Sequence, residues 1–205
     1  MRKLIVAEHL SMDGVIQAPG GPEEDLDGDF RLGGWMWPYM DEGTDEAVEA
    51  LHSRPFELLL GRNTYDLWAA YWPHVPPDSP GRALADVFDS VPKHVVTHRP
   101  EGLDWAKSRA LEGDVAYAVG TLKEEEGDDL LAWGSGSVVR QLLAFGLVDE
   151  LRLLIYPVVL GRGKRLFDGT ARASAFELAH STTTPGGVLV THYVHSGDVR
   201  TGSGG

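Results

Sequence analysis

Leu58-Leu59-Leu60-Gly61-Arg62-Asn63-Thr64 and Leu131-Ala132-Trp133-Gly134-Ser135-Gly136-Ser137 share one design: an apolar run ends in glycine and passes straight into a helix-compatible segment. A short apolar run closed by a turn signal reads as a buried strand. Glycine at its end lets the backbone turn sharply and approach a ligand. The helix that follows begins with amides that have no intrahelical acceptor, and such a start suits phosphate. A strand-glycine-helix corner also occurs where a chain merely turns, so it is the repetition that points to a nucleotide. Neither turn is a Gly-x-x-x-x-Gly-Lys-Ser/Thr loop or a Gly-x-Gly-x-x-Gly fingerprint, so a different dinucleotide scaffold is required.

Outward from these turns the chain alternates strands and helices. Lys3 to Glu8 reads as a buried strand opening into the loop His9-Leu10-Ser11-Met12-Asp13-Gly14, and Ala18 to Asp29 as an exposed, acidic loop. Thr44 is the expected cap of a helix running to about Ser53. A helix follows Gly61, another ends near Phe88 after Ser79-Pro80, and Lys93 to His98 is a strand. Asp114 caps a helix carrying Val115, Val119 and Leu122, and the helix after Ser137 stops at Gly146. Leu151 to Leu160 reads as one strand covered on both faces, and Phe176 to Ser181 with Val188 to His195 as an antiparallel hairpin. Strands alternating with helices and closing on strands alone define an α/β three-layer sandwich, its central sheet mostly parallel with antiparallel C-terminal edge strands. One domain over residues 1–196 and a flexible tail over 197–205 are expected.

The chain has 205 residues, no cysteine, 42 % hydrophobic and 24 % charged residues. That composition suits a globular protein without disulfides or thiolate metal sites. A net charge of -13 without a compensating basic tract argues against nucleic acid as partner. The longest apolar stretch is interrupted by Pro157 and is too short to span a membrane, and the N-terminal run is too short for a secretory signal, which gives a cytoplasmic expectation. No metal is expected: His192 and His195 point to opposite faces of a strand, and Asp25-x-Asp27-x-Asp29 lacks the glycine and glutamate placement of a calcium loop.

Gly61-Arg62-Asn63-Thr64-Tyr65 resembles the Gly-Arg-x-Thr segment of dihydrofolate reductases, and Trp133-Gly134-Ser135-Gly136-Ser137-Val138 resembles their glycine-rich phosphate turn. Val96-Thr97-His98-Arg99-Pro100 falls where that superfamily holds the 2′-phosphate of NADPH, and Ser11-Met12-Asp13-Gly14 falls at its mobile loop. Within the superfamily, Ser-x-Asp-Gly and Pro157-Val158-Val159-Leu160-Gly161-Arg162-Gly163-Lys164 are most similar to the reductase domain of riboflavin biosynthesis, the RibD C-terminal domain. The resemblance runs from Lys3 to about Val194. It implies a dihydrofolate reductase-like fold and NADPH as cofactor, bound through Ala7, Gly61, Arg62, Asn63, Thr64, Thr97, His98, Arg99, Gly134, Ser135, Gly136 and Ser137.

On the substrate side the pattern departs. The riboflavin enzymes carry Thr-Val-x-x-Asp-Asp-Pro and Glu-Gly-Gly where this chain has Thr64-Tyr65-Asp66-Leu67-Trp68 and Trp133. The anchors for a ribityl-phosphate pyrimidine are therefore missing. Asp13 is the expected contact and proton source for a small-molecule substrate, set against a turn aspartate bonding its own backbone. Asp41, with Glu42 beside it, is the nearest candidate for the helix acid of dihydrofolate reductases. Trp35 and Trp37 are candidates for an aromatic wall, although core or dimer contacts weigh more. The expected activity is hydride transfer to a small heterocycle or ribityl-type imine. The alternative is a nucleotide-binding module without turnover, and a homodimer built on Leu153 to Leu160 and the aromatic segment is compatible with either.

Overall fold

The computed structural model describes residues 1–203; the last two positions of the expected tail, 204 and 205, lie outside the described residues. Eight strands form one sheet: β1 (Leu4–Ser11), β2 (Phe56–Gly61), β3 (Lys93–Val96), β4 (Ser108–Leu111), β5 (Asp129–Trp133), β6 (Glu150–Tyr156), β7 (Ala175–Thr183) and β8 (Leu189–Gly197). Their order is β4-β3-β2-β5-β1-β6-β8-β7. The pairs from β4 to β6 are parallel, and β8 is antiparallel to both β6 and β7. The mostly parallel sheet with an antiparallel C-terminal edge thus agrees with the sequence pattern.

Among the described residues five α-helices cover the two faces: α1 (Glu42–Leu51), α2 (Arg62–Tyr71), α3 (Arg82–Ser90), α4 (Val115–Glu124) and α5 (Gly136–Ala144). Strand alternation assigns the faces, because successive side chains point to opposite sides. Leu4, Val6 and Leu10 of β1 pack with Val119 and Leu122 of α4 and Val138, Val139 and Leu142 of α5. Ala7 and Ile5 pack on the other side with Tyr65 and Trp68 of α2, Phe88 of α3 and Trp133. Helices therefore cover both faces of the central strands, which accounts for their near-continuous hydrophobicity.

Several boundaries differ from the sequence pattern. Asp41, not Thr44, caps α1: its carboxylate accepts the Thr44 amide at 3.0 Å while Thr44 Oγ1 accepts the Asp41 amide at 2.7 Å. The two form a reciprocal capping box with the hydroxyl inside the helix. Strand β6 ends at Tyr156 because Pro157 has no amide to continue the ladder. It is interior, between β1 and β8, with Leu153 and Leu154 buried, while Val159 of the segment expected in a dimer contact is exposed. The strand absent from the pattern is β4, whose Ser-Arg-Ala-Leu carries no apolar run. It is an edge strand paired with β3 from Lys93↔Ser108 to Val96↔Leu111, and the buried Lys93 of β3 anchors the loop before it, its Nζ donating to the carbonyls of Val91 and Ala106 and lying 4.3 Å from the Trp105 ring centre. No helix is long and apolar enough to cross a membrane among the described residues.

Candidate cofactor and substrate cleft

Strands β1 and β5 pair from Leu4↔Leu130 to Ala7↔Trp133, where β5 turns away at Gly134, whereas β1 continues along β6 to Ser11↔Tyr156. The chain leaves β1 towards β2 on one side and returns through β5 to β6 on the other. This is a topological switch point, and crevices beyond the carboxyl ends of such strands are where α/β sheets take ligands. Both glycine turns open there, and they are locked together. Ser135 Oγ accepts the buried Gly61 amide at 2.8 Å, and Thr64 Oγ1 accepts the Ser135 amide at 3.0 Å.

Sterics explain the small residues. A Cβ on Gly61 would stand 3.0 Å from Val138 Cγ2, and one on Gly136 only 2.5 Å from Ile16 Cδ1. Gly134 has φ +66°, and Ser135 takes the left-handed conformation as N-cap of α5 without using its side chain as a cap. Among the described residues the amides of Gly136 and Ser137 have no acceptor within the protein, and α2 likewise starts without a side-chain cap. Two uncapped helix starts facing one crevice fit the phosphates of a dinucleotide.

Arg62 spans this region without pointing free. Its Nε donates to Asp66 at 2.7 Å and its Nη1 to the Glu101 carbonyl at 2.8 Å, with a further contact to the Arg99 carbonyl. Arg62 therefore braces the loop after β3. Thr97 Oγ1 accepts the Arg99 amide at 2.9 Å, closing a turn that leaves the side chains of His98 and Arg99 exposed. The Arg99 guanidinium has one weak partner, Asp66 at 3.9 Å, and is 64 % exposed. Asn63 and Ser137 are exposed beside the two turns, and Ala7 is buried at the last β1/β5 pair.

On the substrate side both candidate acids are engaged by donors within the protein. Asp13 accepts from Ser11 Oγ at 2.7 Å, from the amides of Leu160 and Gly161 at 3.0 and 2.9 Å, and from Arg165 at 3.2 Å. Partial burial pushes its carboxyl up, but the hydrogen bonds from Ser11, Leu160 and Gly161 outweigh this and hold it at about 2. An ionised, saturated carboxylate ties two loops together and has no proton to give. Asp41 is engaged similarly by Thr44 and by the Gly186 amide at 2.5 Å. Burial acts to raise its carboxyl, and these donors together lower it. Trp35 is buried, with Nε1 donating to the Gln17 carbonyl at 2.8 Å and its ring edge-on to Tyr156 at 5.5 Å. Trp37 is exposed and donates to the Gly20 carbonyl at 2.7 Å.

Sequence reasoning missed Glu8, His9 and Tyr156. Two ionisable residues inside the otherwise apolar Leu4–Leu10 run were the available signal, since buried polar groups need a reason. Glu8 projects to the α5 face between Val6 and Leu10. Its Oε1 is buried without a partner, and burial, with a smaller push from Glu24, raises its carboxyl to about 8. His9 projects to the opposite face, where its Nδ1 is 2.8 Å from Tyr156 Oη. Its ring centre is 6.1 Å from that of Trp133. Two surface cavities, of about 350 and 390 Å³, lie elsewhere, one beside Leu143 and Phe176 and the other beside Gln17 and Lys164.

This fold, with paired glycine turns at a switch point, is a reductase-type α/β architecture. Residues 2–190 match the RibD C-terminal domain, and the chain belongs to that family. It is 26 % identical over 196 residues to YyaP of Bacillus subtilis (strain 168), covering 96 % of each chain; YyaP is uncharacterised. YwjB of the same organism, also uncharacterised, is 26 % identical over 198 residues, covering 95 % of this chain and 99 % of YwjB. A provisionally named riboflavin biosynthesis protein from Shewanella sp. PV-4 superposes with a TM-score of 0.63 at 22 % identity, over 95 % of this chain and 99 % of its own. A pyrimidine reductase-like protein from Corynebacterium diphtheriae gives 0.63 at 15 % identity, over 96 % and 93 %. These two likenesses are of fold.

Proposed function

We propose that the chain is an NADPH-dependent reductase of a small, flat heterocycle or imine. The observation that supports it most directly is the crevice where β1 and β5 part, flanked by two mutually locked glycine turns with unused helix-start amides. The amides of Gly136 and Ser137 and the start of α2 would hold the pyrophosphate, and Arg99 with His98 would face the 2′-phosphate. NADPH supplies a hydride from its nicotinamide C4 to a C=N or C=O carbon. The residues around the crevice align donor and acceptor and keep water from the transferring hydride. The proton for the acceptor's nitrogen or oxygen comes from solvent at the mouth, because Asp13 is committed as an anion to four donors.

Consumption of NADPH, followed by the loss of nicotinamide absorbance, against a panel of pterins, aminopyrimidines and quinones tests this reading. Turnover with at least one ring is expected. Tight NADPH binding without turnover across the panel would turn the assignment to a nucleotide-binding module.

A further inference from the structure

His9 lies two residues past the last β1/β5 pair, on the face opposite Glu8 and α5, and is 8 % exposed. Its imidazole is fixed from behind. Nδ1 is 2.8 Å from Tyr156 Oη, and Tyr156 Oη donates to Met40 Sδ at 3.2 Å. A phenol has one proton: if it lies on the sulfur, Nδ1–H donates to Tyr156 Oη and Nε2 carries the lone pair; if it lies on Nδ1, the imidazole proton sits on Nε2. Among the described residues Nε2 has no hydrogen-bond partner, yet it is not among the fully enclosed orphan atoms, so it keeps access to solvent. Trp133, whose neighbour Gly134 begins the glycine turn, lies at 31° to the imidazole ring and is itself packed against His52, Trp68 and Phe88.

From this arrangement we propose that His9 is the substrate-recognition residue of the cleft, its Nε2 accepting a hydrogen bond from a ring N–H or exocyclic amine of a flat heterocycle lying near Trp133. The proposal rests on the reductase reading for the place of the nicotinamide, and it narrows the substrate class to rings that present a donor. A neutral imidazole suits the position. Burial keeps His9 uncharged, depressed to about 4, and hydride transfer leaves a positive nicotinamide ring that an imidazolium would oppose. Tyr156, fully buried, positions the imidazole and selects its tautomer.

Long-range proton–nitrogen NMR on the full chain with ¹⁵N-histidine reads the tautomer directly, with the His9→Gln spectrum assigning the signal. A protonated Nδ1 and an unprotonated Nε2 are expected. Titrating the protein and its NADPH complex with aminopyrimidines and pterins should shift Nε2 for at least one ring that carries an N–H donor, and not for its N-methylated counterpart. His9→Leu should weaken that ring's binding about tenfold, the usual scale for one lost hydrogen bond, with NADPH affinity unchanged. His9→Gln, which keeps an acceptor, should restore much of it. Tyr156→Phe, which keeps the packing, should mix the tautomers and give an intermediate loss. A protonated Nε2, ring binding indifferent to His9→Leu, equal losses for ring and NADPH, or no binding by any N–H ring would overturn the proposal. Failure of NADPH to bind would instead sink the cofactor reading, while the ring titration alone still decides the role of His9.

Discussion

Asp66 stands between two arginines at the place assigned to the 2′-phosphate, bonded to Arg62 at 2.7 Å and 3.9 Å from Arg99. A carboxylate there favours a ribose hydroxyl and repels a phosphate, whereas a free guanidinium favours the phosphate. Arg62 is committed to the loop, so discrimination falls to Arg99. Arg99→Ala should raise the KM for NADPH about tenfold, near 1.4 kcal/mol, and leave that for NADH unchanged; Asp66→Asn should move NADPH the other way. Steady-state kinetics with both cofactors read the difference. Glu8 gives a second test at this scale. Burial raises its folded pKa from an ordinary 4.5 to about 8, so between those values the folded chain holds a proton the unfolded chain has released. That group's penalty is absent below about 4.5, grows as pH rises and is complete above about 8. Glu8→Gln, neutral at every pH, should match the parent's unfolding free energy near pH 4 and exceed it near pH 9 by several kcal/mol, on the order of 4, read from urea unfolding midpoints at the two pH values. Equal midpoints at both pH values would contradict a buried, protonated Glu8.

At the scale of elements, the start of α5 separates stability from binding. Ser135→Ala removes the acceptor for the buried Gly61 amide, and an orphaned buried donor costs about 1–3 kcal/mol; urea unfolding should show that loss. Gly136→Ala behaves differently. Alanine gains about 1 kcal/mol of helix propensity over glycine, but its Cβ meets Ile16 Cδ1 at 2.5 Å, and the flexible end of the isoleucine must swing away. The unfolding midpoint should therefore stay nearly level while NADPH affinity falls, because the displaced Ile16 lies beside the amides assigned to phosphate. The strands and helices that frame these turns were legible in the sequence because each couples an apolar period to a stop signal: glycine after β2, β5 and α5, and Asp114 before α4. Features without such a local signal were not. Strand β4 depends on its pairing with β3 and on the preceding loop that Lys93 of β3 anchors, and the Asp41 cap depends on a hydroxyl three residues later and on Gly186 from a distant part of the chain.

Across the whole molecule, the order of the strands turns separated motifs into one site. Gly61 and Ser135 are 74 residues apart in sequence and bonded in space, and His9 and Tyr156 are 147 apart. A strand-turn-helix motif states its own geometry, so the two glycine turns could be read from the chain. The His9–Tyr156–Met40 contact is assembled from side chains on β1, β6 and the Met40 segment, and no local pattern announces that Tyr156 lies behind His9. The acidic surface adds a condition on binding. With a net charge of -13, the long-range field opposes an anionic dinucleotide, and affinity must come from the amides and Arg99 at short range. Salt screens the field over about 8–10 Å but weakens close, partly buried contacts much less. NADPH affinity should therefore hold or rise modestly between low and physiological ionic strength, unlike a site that gathers its ligand through a basic surface. At a hundredfold excess over Kd, binding should add about 2.7 kcal/mol, raising the melting temperature of a chain this size by roughly 5–10 °C. NADH, which lacks the phosphate that Arg99 meets, should give a clearly smaller shift at the same concentration. Equal shifts for the two cofactors, or an NADPH shift that collapses as salt is added, would place the recognition outside the loop after β3.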